Sequence, residues 1–188
     1  MDLSIYRQDC PMLQNKTMQG EPLVYLDNGA TTFKPQCVID AIVDYMTNYT
    51  ANAHRGDYDL SAIVDQKYEE ARNAVKEFIN ASRKEEVVFT SGTTESLNLV
   101  AKGYAMTHLS EGDEILISVA EHASNTLPWF DVARSNKCQV NFIDLDEEGR
   151  ITMDAVKKAV NEHTKIISLA HVTNVLGHVL PVKEICDY

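Results

Sequence analysis

The stretch TSGTTESLN, Thr90–Asn98, stands directly behind the apolar run Glu86-Val87-Val88-Phe89. It reads as the end of a strand and the start of a helix. Gly92 lets the backbone turn tightly and lets another molecule come close. The helix behind it turns unpaired N–H groups and the positive end of its dipole onto the same spot. Thr93 and Thr94 add hydroxyl donors. Two readings fit the turn taken alone. One is an ordinary N-cap, since Ser and Thr commonly precede helices. The other is a cradle for a phosphate. It is not a P-loop, because GxxxxGK[ST] is absent, nor a dinucleotide fingerprint, because the second and third glycines are missing.

Outward from this turn the chain alternates between two periods. Near-continuous β-branched and apolar runs, as in EILIS, VNFIDL and KIISLAHV, predict strands over 86–90, 114–118, 139–145 and 165–172. Helices are expected between them at 94–108, 124–136 and 152–161. Upstream, the extended run Leu23-Val24-Tyr25-Leu26 leads into Asp27-Asn28-Gly29-Ala30-Thr31-Thr32. Pro35 suits the first turn of a helix striped with Val38, Ala41, Ile42, Tyr45, Met46 and Tyr49. A polar loop with Ala53-His54-Arg55-Gly56 precedes a second helix, with Val64, Tyr68, Ala71, Val75, Phe78 and Ile79 on one face. Strands this apolar belong in a sheet covered on both faces. The fold class is α/β, a mostly parallel sheet flanked by helices.

Composition narrows the function. The chain has 188 residues, 44% of them hydrophobic, and a formal net charge of −11. An acidic surface argues against nucleic acid and against an anionic membrane as partner. No apolar run approaches the ~20 residues that span a bilayer. The N-terminal MDLSIYRQDCPML lacks the apolar core of a secretory signal. Cys10, Cys37, Cys138 and Cys186 are widely separated, without a CxxC pair. They read as free thiols of a reducing, cytoplasmic compartment, and no metal site is expected.

In open parallel sheets, ligands bind beyond the carboxyl ends of the strands. Three polar clusters fall there: Ser91-Gly92-Thr93-Thr94, Glu121-His122-Ala123-Ser124-Asn125, and Thr173-Asn174 through His178. A lone His122 would be an ordinary loop histidine, and a lone Asn174 a turn residue. With the cradle they form a different set. An imidazole can lie flat on an aromatic ring whose phosphate the cradle holds, while the Asn174 amide donates to a ring hydroxyl. The three together describe a phosphorylated aromatic cofactor.

The motifs YLDNGATTFKP, HRG, FTSGTTESLNLVAKG, EHASNTLPW and HVTNVLG occur in this order between about Leu23 and Lys183. In them the chain resembles the first half of a class V, fold-type I pyridoxal-phosphate enzyme, most closely the cysteine desulfurase and selenocysteine lyase branch. That resemblance implies part of the large domain of the aspartate aminotransferase-like fold over 23–188, after an N-terminal segment 1–22. It implies pyridoxal 5′-phosphate as cofactor, with Gly92, Thr93 and Thr94 at the phosphate. His122 would stack on the ring as the catalytic histidine, and Asn174 would bond the ring O3′ or the substrate carboxylate. Gly29 and Ala30 would lie near the bound amino acid, and His54 and Arg55 at the mouth of the site.

The implied activity removes sulfur from L-cysteine, leaving alanine and an enzyme persulfide for iron–sulfur cluster assembly or other sulfur delivery. The implied partners are a second copy, in a homodimer, and a sulfur-acceptor protein. Two positions depart from the branch's pattern: Asp57-Tyr58 after the HRG motif, and His178 where a small hydroxyl residue is usual. The Schiff-base lysine, the persulfide cysteine and the carboxylate-binding arginine belong to later motifs of the family. None of the lysines or cysteines here has the matching context, so the chain alone is expected to be inactive. Other readings remain: another class V aminotransferase, a kynureninase-like enzyme, or a short non-catalytic protein that binds a partner or a phosphate ligand.

Overall fold

The computed structural model describes residues 4–188, which divide into two compact units between Val88 and Phe89. The first unit is built on two helices, Gln36–Asn48 and Asp59–Phe78. Pro35, held at φ −60°, stands at the N-cap of the first, one place before the first turn expected for it. Asp59 in the first turn and Lys76 in the last complement the dipole of the second. Its Ser61 is fully buried and donates its hydroxyl to the Asn52 carbonyl, which ties the helix to the loop before it. Both apolar stripes are present on their helices, yet they stay largely open. Met46 is 68% exposed and Phe78 90%, and no residue of Gln36–Asn48 is buried.

The expected strand at 86–90 does not form. Lys84–Glu86 is a 3-10 turn, and residues 87–90 belong to no strand. Val87 has strand-like angles, φ −95° and ψ 114°, and is buried, whereas Val88 is 65% exposed. Local preference makes the backbone extended here. A strand also needs a neighbour to complete its ladder, and the sheet among the described residues offers none at this segment.

The second unit holds a three-stranded parallel sheet in the order β2-β1-β3, from β1 (Glu114–Ser118), β2 (Gln139–Ile143) and β3 (Thr164–Ser168). Period-2 alternation splits the central strand between two cores. Ile115 and Ile117 pack with Ala101, Ala105, Trp129 and Val132 on one face, and Leu116 packs with Ile143, Ile151, Val156 and Leu180 on the other. The helix of residues 93–108 is α-helical over Thr93–Leu99, widens to a π-helix at Val100–Ala105, and closes with Met106–His108. Its Ala101 and Ala105 are fully buried against the sheet.

The remaining elements follow the predicted order with shifted ends. The helix expected at 124–136 begins as a 3-10 turn, Ala123–Asn125, and continues as Leu127–Asn136. The one expected at 152–161 is Met153–Ala159, with the Thr152 hydroxyl accepting the Ala155 N–H at 3.2 Å. A short helix, Val182–Asp187, was not foreseen. The strand expected over 165–172 stops at Ser168. Just past it, the Ala170 N–H leaves the ladder and donates to the Glu121 carboxylate instead.

Ile117→Ala, in the fully buried centre of β1, should cost roughly 2–5 kcal/mol of unfolding free energy. Phe78→Ala, at an exposed position, should stay within about 0.5 kcal/mol. The urea unfolding midpoints of the two variants test this assignment of the core. A larger loss for Phe78→Ala would overturn it.

Candidate functional site

The turn at Gly92 is built so that its donors stay open. Gly92 has φ +159° and ψ 176°, a region that essentially only glycine occupies. A Cβ placed there would meet nothing within 4 Å, so the space in front of the turn is free. The turn's shape comes from contacts behind it. The Thr90 hydroxyl lies 3.1 Å from the Gly92 carbonyl oxygen and 2.7 Å from the Ser96 hydroxyl, and the Ser96 N–H donates to the same carbonyl at 3.1 Å. Glu95 reaches back to accept the Ser91 N–H at 2.7 Å and its hydroxyl at 2.6 Å. No side chain caps the helix that follows, so the N–H groups of Thr93 and Thr94 remain available.

His122 sits at the head of the Ala123–Asn125 turn, just past β1. Its Nδ1 accepts the Ser124 N–H at 3.1 Å and lies 2.8 Å from the Ser124 hydroxyl. A backbone N–H can only donate, so Nδ1 carries the lone pair and the neutral ring holds its proton on Nε2. The ring borders two hollows. One, of about 420 Å³, is lined by His122 with Val119, Leu145, Asn174 and Leu176. The other, of about 330 Å³, is lined by His122 with Thr94, Asn98, Leu127 and Asp131. His122 therefore has the helix start on one side and the Asn174 loop on the other.

That loop is folded tightly. Thr173 is buried and accepts the His178 N–H on its hydroxyl at 3.0 Å, while Gly177 takes φ +66° to close the turn. Asn174 is exposed at its tip. His178, which departs from the branch's pattern, has its Nε2 3.4 Å from the Ile151 carbonyl.

The other four predicted site residues belong to the 1–88 unit. Gly29 and Ala30 lie in a turn closed by the Ala30 and Thr31 N–H groups on the Asp27 carbonyl. The Tyr25 hydroxyl bridges the carbonyls of Asp27 and Thr31. His54 adopts a left-handed backbone, φ +58°, stabilised by its N–H donating to Asp65 at 2.5 Å. Its Nδ1 lies 3.3 Å from the same carboxylate oxygen, and its ring meets Tyr68 edge-on. Arg55 makes no hydrogen bond or ion pair among the described residues.

Reading the sequence missed the residues that hold His122. Glu121, Asn125 and Trp129 recur every four residues within EHASNTLPW, and their side chains form one network with Ser118 and Ser168. The i, i+4, i+8 spacing was the available signal. Cys138 is buried, which pushes its thiol pKa up, opposite to what a reactive thiolate needs, whereas Cys37 and Cys186 are exposed. Among the described residues, no group of three or more His, Cys, Asp or Glu could hold a metal ion.

Residues 24–188 match the aminotransferase class-V family. A probable cysteine desulfurase from Halalkalibacterium halodurans is 45% identical over 94% of this chain and 43% of its own length. An apo cysteine desulfurase from Thermococcus onnurineus superposes with a TM-score of 0.86 at 37% identity, over 98% of this chain and 44% of that one. An S-sulfonic acid form of a cysteine desulfurase from Escherichia coli gives 0.83 at 32% identity, over 100% and 45%. The parallel sheet with a ligand-sized hollow at its strand ends is therefore the fold of the pyridoxal-phosphate transferases. The chain belongs to the class V aminotransferase family, and it spans less than half the length of these relatives.

The Ser91 hydroxyl and then its N–H hold the Glu95 carboxyl below the usual carboxylate range. A depressed folded pKa means that the bonds are complete above the ordinary value and are lost as pH falls through the folded one. The Ser91 amide resonance should therefore titrate with a midpoint below that of an ordinary glutamate, and Glu95→Gln should abolish the step. A midpoint at or above the ordinary value would contradict the back-bonded geometry.

Proposed function

We propose that this chain forms the phosphate-and-ring side of the pyridoxal-phosphate site of a cysteine desulfurase. The observation that carries the reading is His122, which shares one hollow with Thr94 and the other with Asn174. The residues fit the cofactor. The open N–H groups of Thr93 and Thr94, with the free space before Gly92, accept a phosphate. The flat imidazole of His122 would stack on the ring, and the exposed Asn174 amide would donate to its hydroxyl or to the substrate carboxylate. Residues 23–188 then belong to the large domain, with 1–22 as its leading segment.

When bound, pyridoxal phosphate supplies an electron sink for the bond-breaking at the substrate Cα. The protein's own groups do the rest. The cradle at Thr93 and Thr94 would hold the cofactor's phosphate, and the imidazole would hold its ring. The Nε2–H of His122 points away from Ser124 and is the group placed to hold or pass a proton at the ring face. By the family's sequence pattern alone, we assign Gly29 and Ala30, with their minimal side chains, to the substrate amino acid, and His54 and Arg55 to the mouth of its site. In a protein of the relatives' length, L-cysteine loses its sulfur to an enzyme cysteine and leaves as alanine. The persulfide passes to an acceptor protein for iron–sulfur assembly. We place this enzyme in the cytoplasm as a homodimer. No helix among the described residues is long and apolar enough to cross a membrane.

Inorganic phosphate titrated into this chain should shift the amide resonances of Gly92, Thr93 and Thr94 before any others. In a protein of the relatives' length, His122→Ala should lower desulfurase turnover by roughly a hundredfold or more while leaving the melting midpoint almost unchanged. Unaltered turnover would remove His122 from the site, and a phosphate response centred elsewhere would remove the cradle.

A further inference from the structure

The carboxylate of Glu121 meets only donors. The Ala170 N–H lies 3.0 and 3.1 Å from its two oxygens, the Asn125 amide nitrogen 2.7 Å from one, and the Ser118 hydroxyl 2.9 Å from the other. The orientation of each partner is dictated by chemistry. The Trp129 indole N–H can only donate, so the Asn125 oxygen must face it, at 3.0 Å. That oxygen also accepts the Ser168 hydroxyl at 2.6 Å. The Asn125 amide nitrogen is thereby turned onto Glu121. The Ser118 hydroxyl already accepts the Ala120 N–H at 3.2 Å, which leaves its own proton for Glu121. Ser118, Asn125 and Trp129 are buried, so the Asn125–Trp129 bond in particular is shielded from water, while Glu121 itself is half-buried.

The network joins the ends of two strands, and its Glu121 lines the hollow shared by His122 and Asn174. Ser118 ends β1, Ser168 ends β3, and Ala170 opens the segment that leads to Asn174. Asn125 also donates its own N–H to the His122 carbonyl at 2.8 Å, closing the turn whose head is the imidazole. We propose that Glu121, acting through Asn125, is a positioning residue for His122, and that it sets the His122 wall against the Asn174 wall. The inference rests on the reading of His122 as the ring-facing histidine. Its role is to hold the His122 turn in one position, within which the Ser124 N–H fixes the imidazole tautomer.

The chain has a single tryptophan, so its indole N–H resonance reports this network alone. Glu121→Ala should move that resonance and raise hydrogen exchange at the Ala170 amide at least tenfold. It should also move the Ser124 amide and the His122 ring signals, as the Nδ1 lone pair loses its fixed partner. Glu121→Gln should restore the His122 and Ser124 signals, because its oxygen can take the Asn125 and Ala170 donors while its NH₂ faces the Ser118 oxygen. If Glu121→Ala does not fold, Glu121→Asp, one methylene too short to reach Asn125 and Ala170 together, should show the same His122 change in a folded chain. Wild-type His122 and Ser124 signals in the folded Ala or Asp variant would overturn the proposal, even with a moved indole resonance. The same samples titrated with inorganic phosphate separate the two readings. No response at Thr93 and Thr94 in the unsubstituted chain sinks the cofactor assignment, whereas an unmoved His122 in the folded variants sinks only the role of Glu121.

Discussion

One partly buried set of polar bonds organises the functional end of the sheet: Glu121 and Asn125 between the ends of β1 and β3. Buried polar groups are costly when left unpaired, so a fully satisfied network admits one arrangement and penalises the rest. Here that arrangement carries the loop geometry on both sides of the hollow. β3 ends where it does because the Ala170 N–H is taken by a carboxylate rather than by a neighbouring strand. The helix Leu127–Asn136 starts where it does because Pro128 and Trp129 follow an anchored turn. His122 stands between those two consequences.

The cradle works by the opposite logic. At Gly92 the chain leaves donors unpaired and uses its other polar groups to keep them so. Thr90, Ser96 and Glu95 all bond behind the turn, and none of them caps the helix in front. An anion approaching that face meets N–H groups and the positive end of a helix, and displaces no protein partner. A clamped histidine beside an unclamped helix start is a division of labour suited to a ligand with a ring and a phosphate.

The two units differ in how far their apolar surface is covered. β1 is buried on both faces of the sheet, while the Gln36–Asn48 helix carries a clear apolar stripe with no residue buried. The stripes of the 1–88 unit were legible from spacing alone. Spacing says which face is apolar and nothing about what covers it.

The alternation of period along the chain, the parallel sheet and the place of two of the three polar clusters, beyond β1 and β3, were determined by the sequence itself, since period, β-branching and turn residues act locally. The family was legible too, because runs such as EHASNTLPW and HVTNVLG keep several side chains in register. Tertiary structure decided the rest. Whether 86–90 becomes a strand depends on a neighbour, not on Val87, Val88 and Phe89 themselves. Whether His122 is a loop histidine or a held one depends on Ser168 and Ala170, more than forty positions away in the chain. The tautomer of His122 and the direction of the Asn125 amide follow from which neighbours can only donate. That is a property of contacts, and no local pattern encodes it.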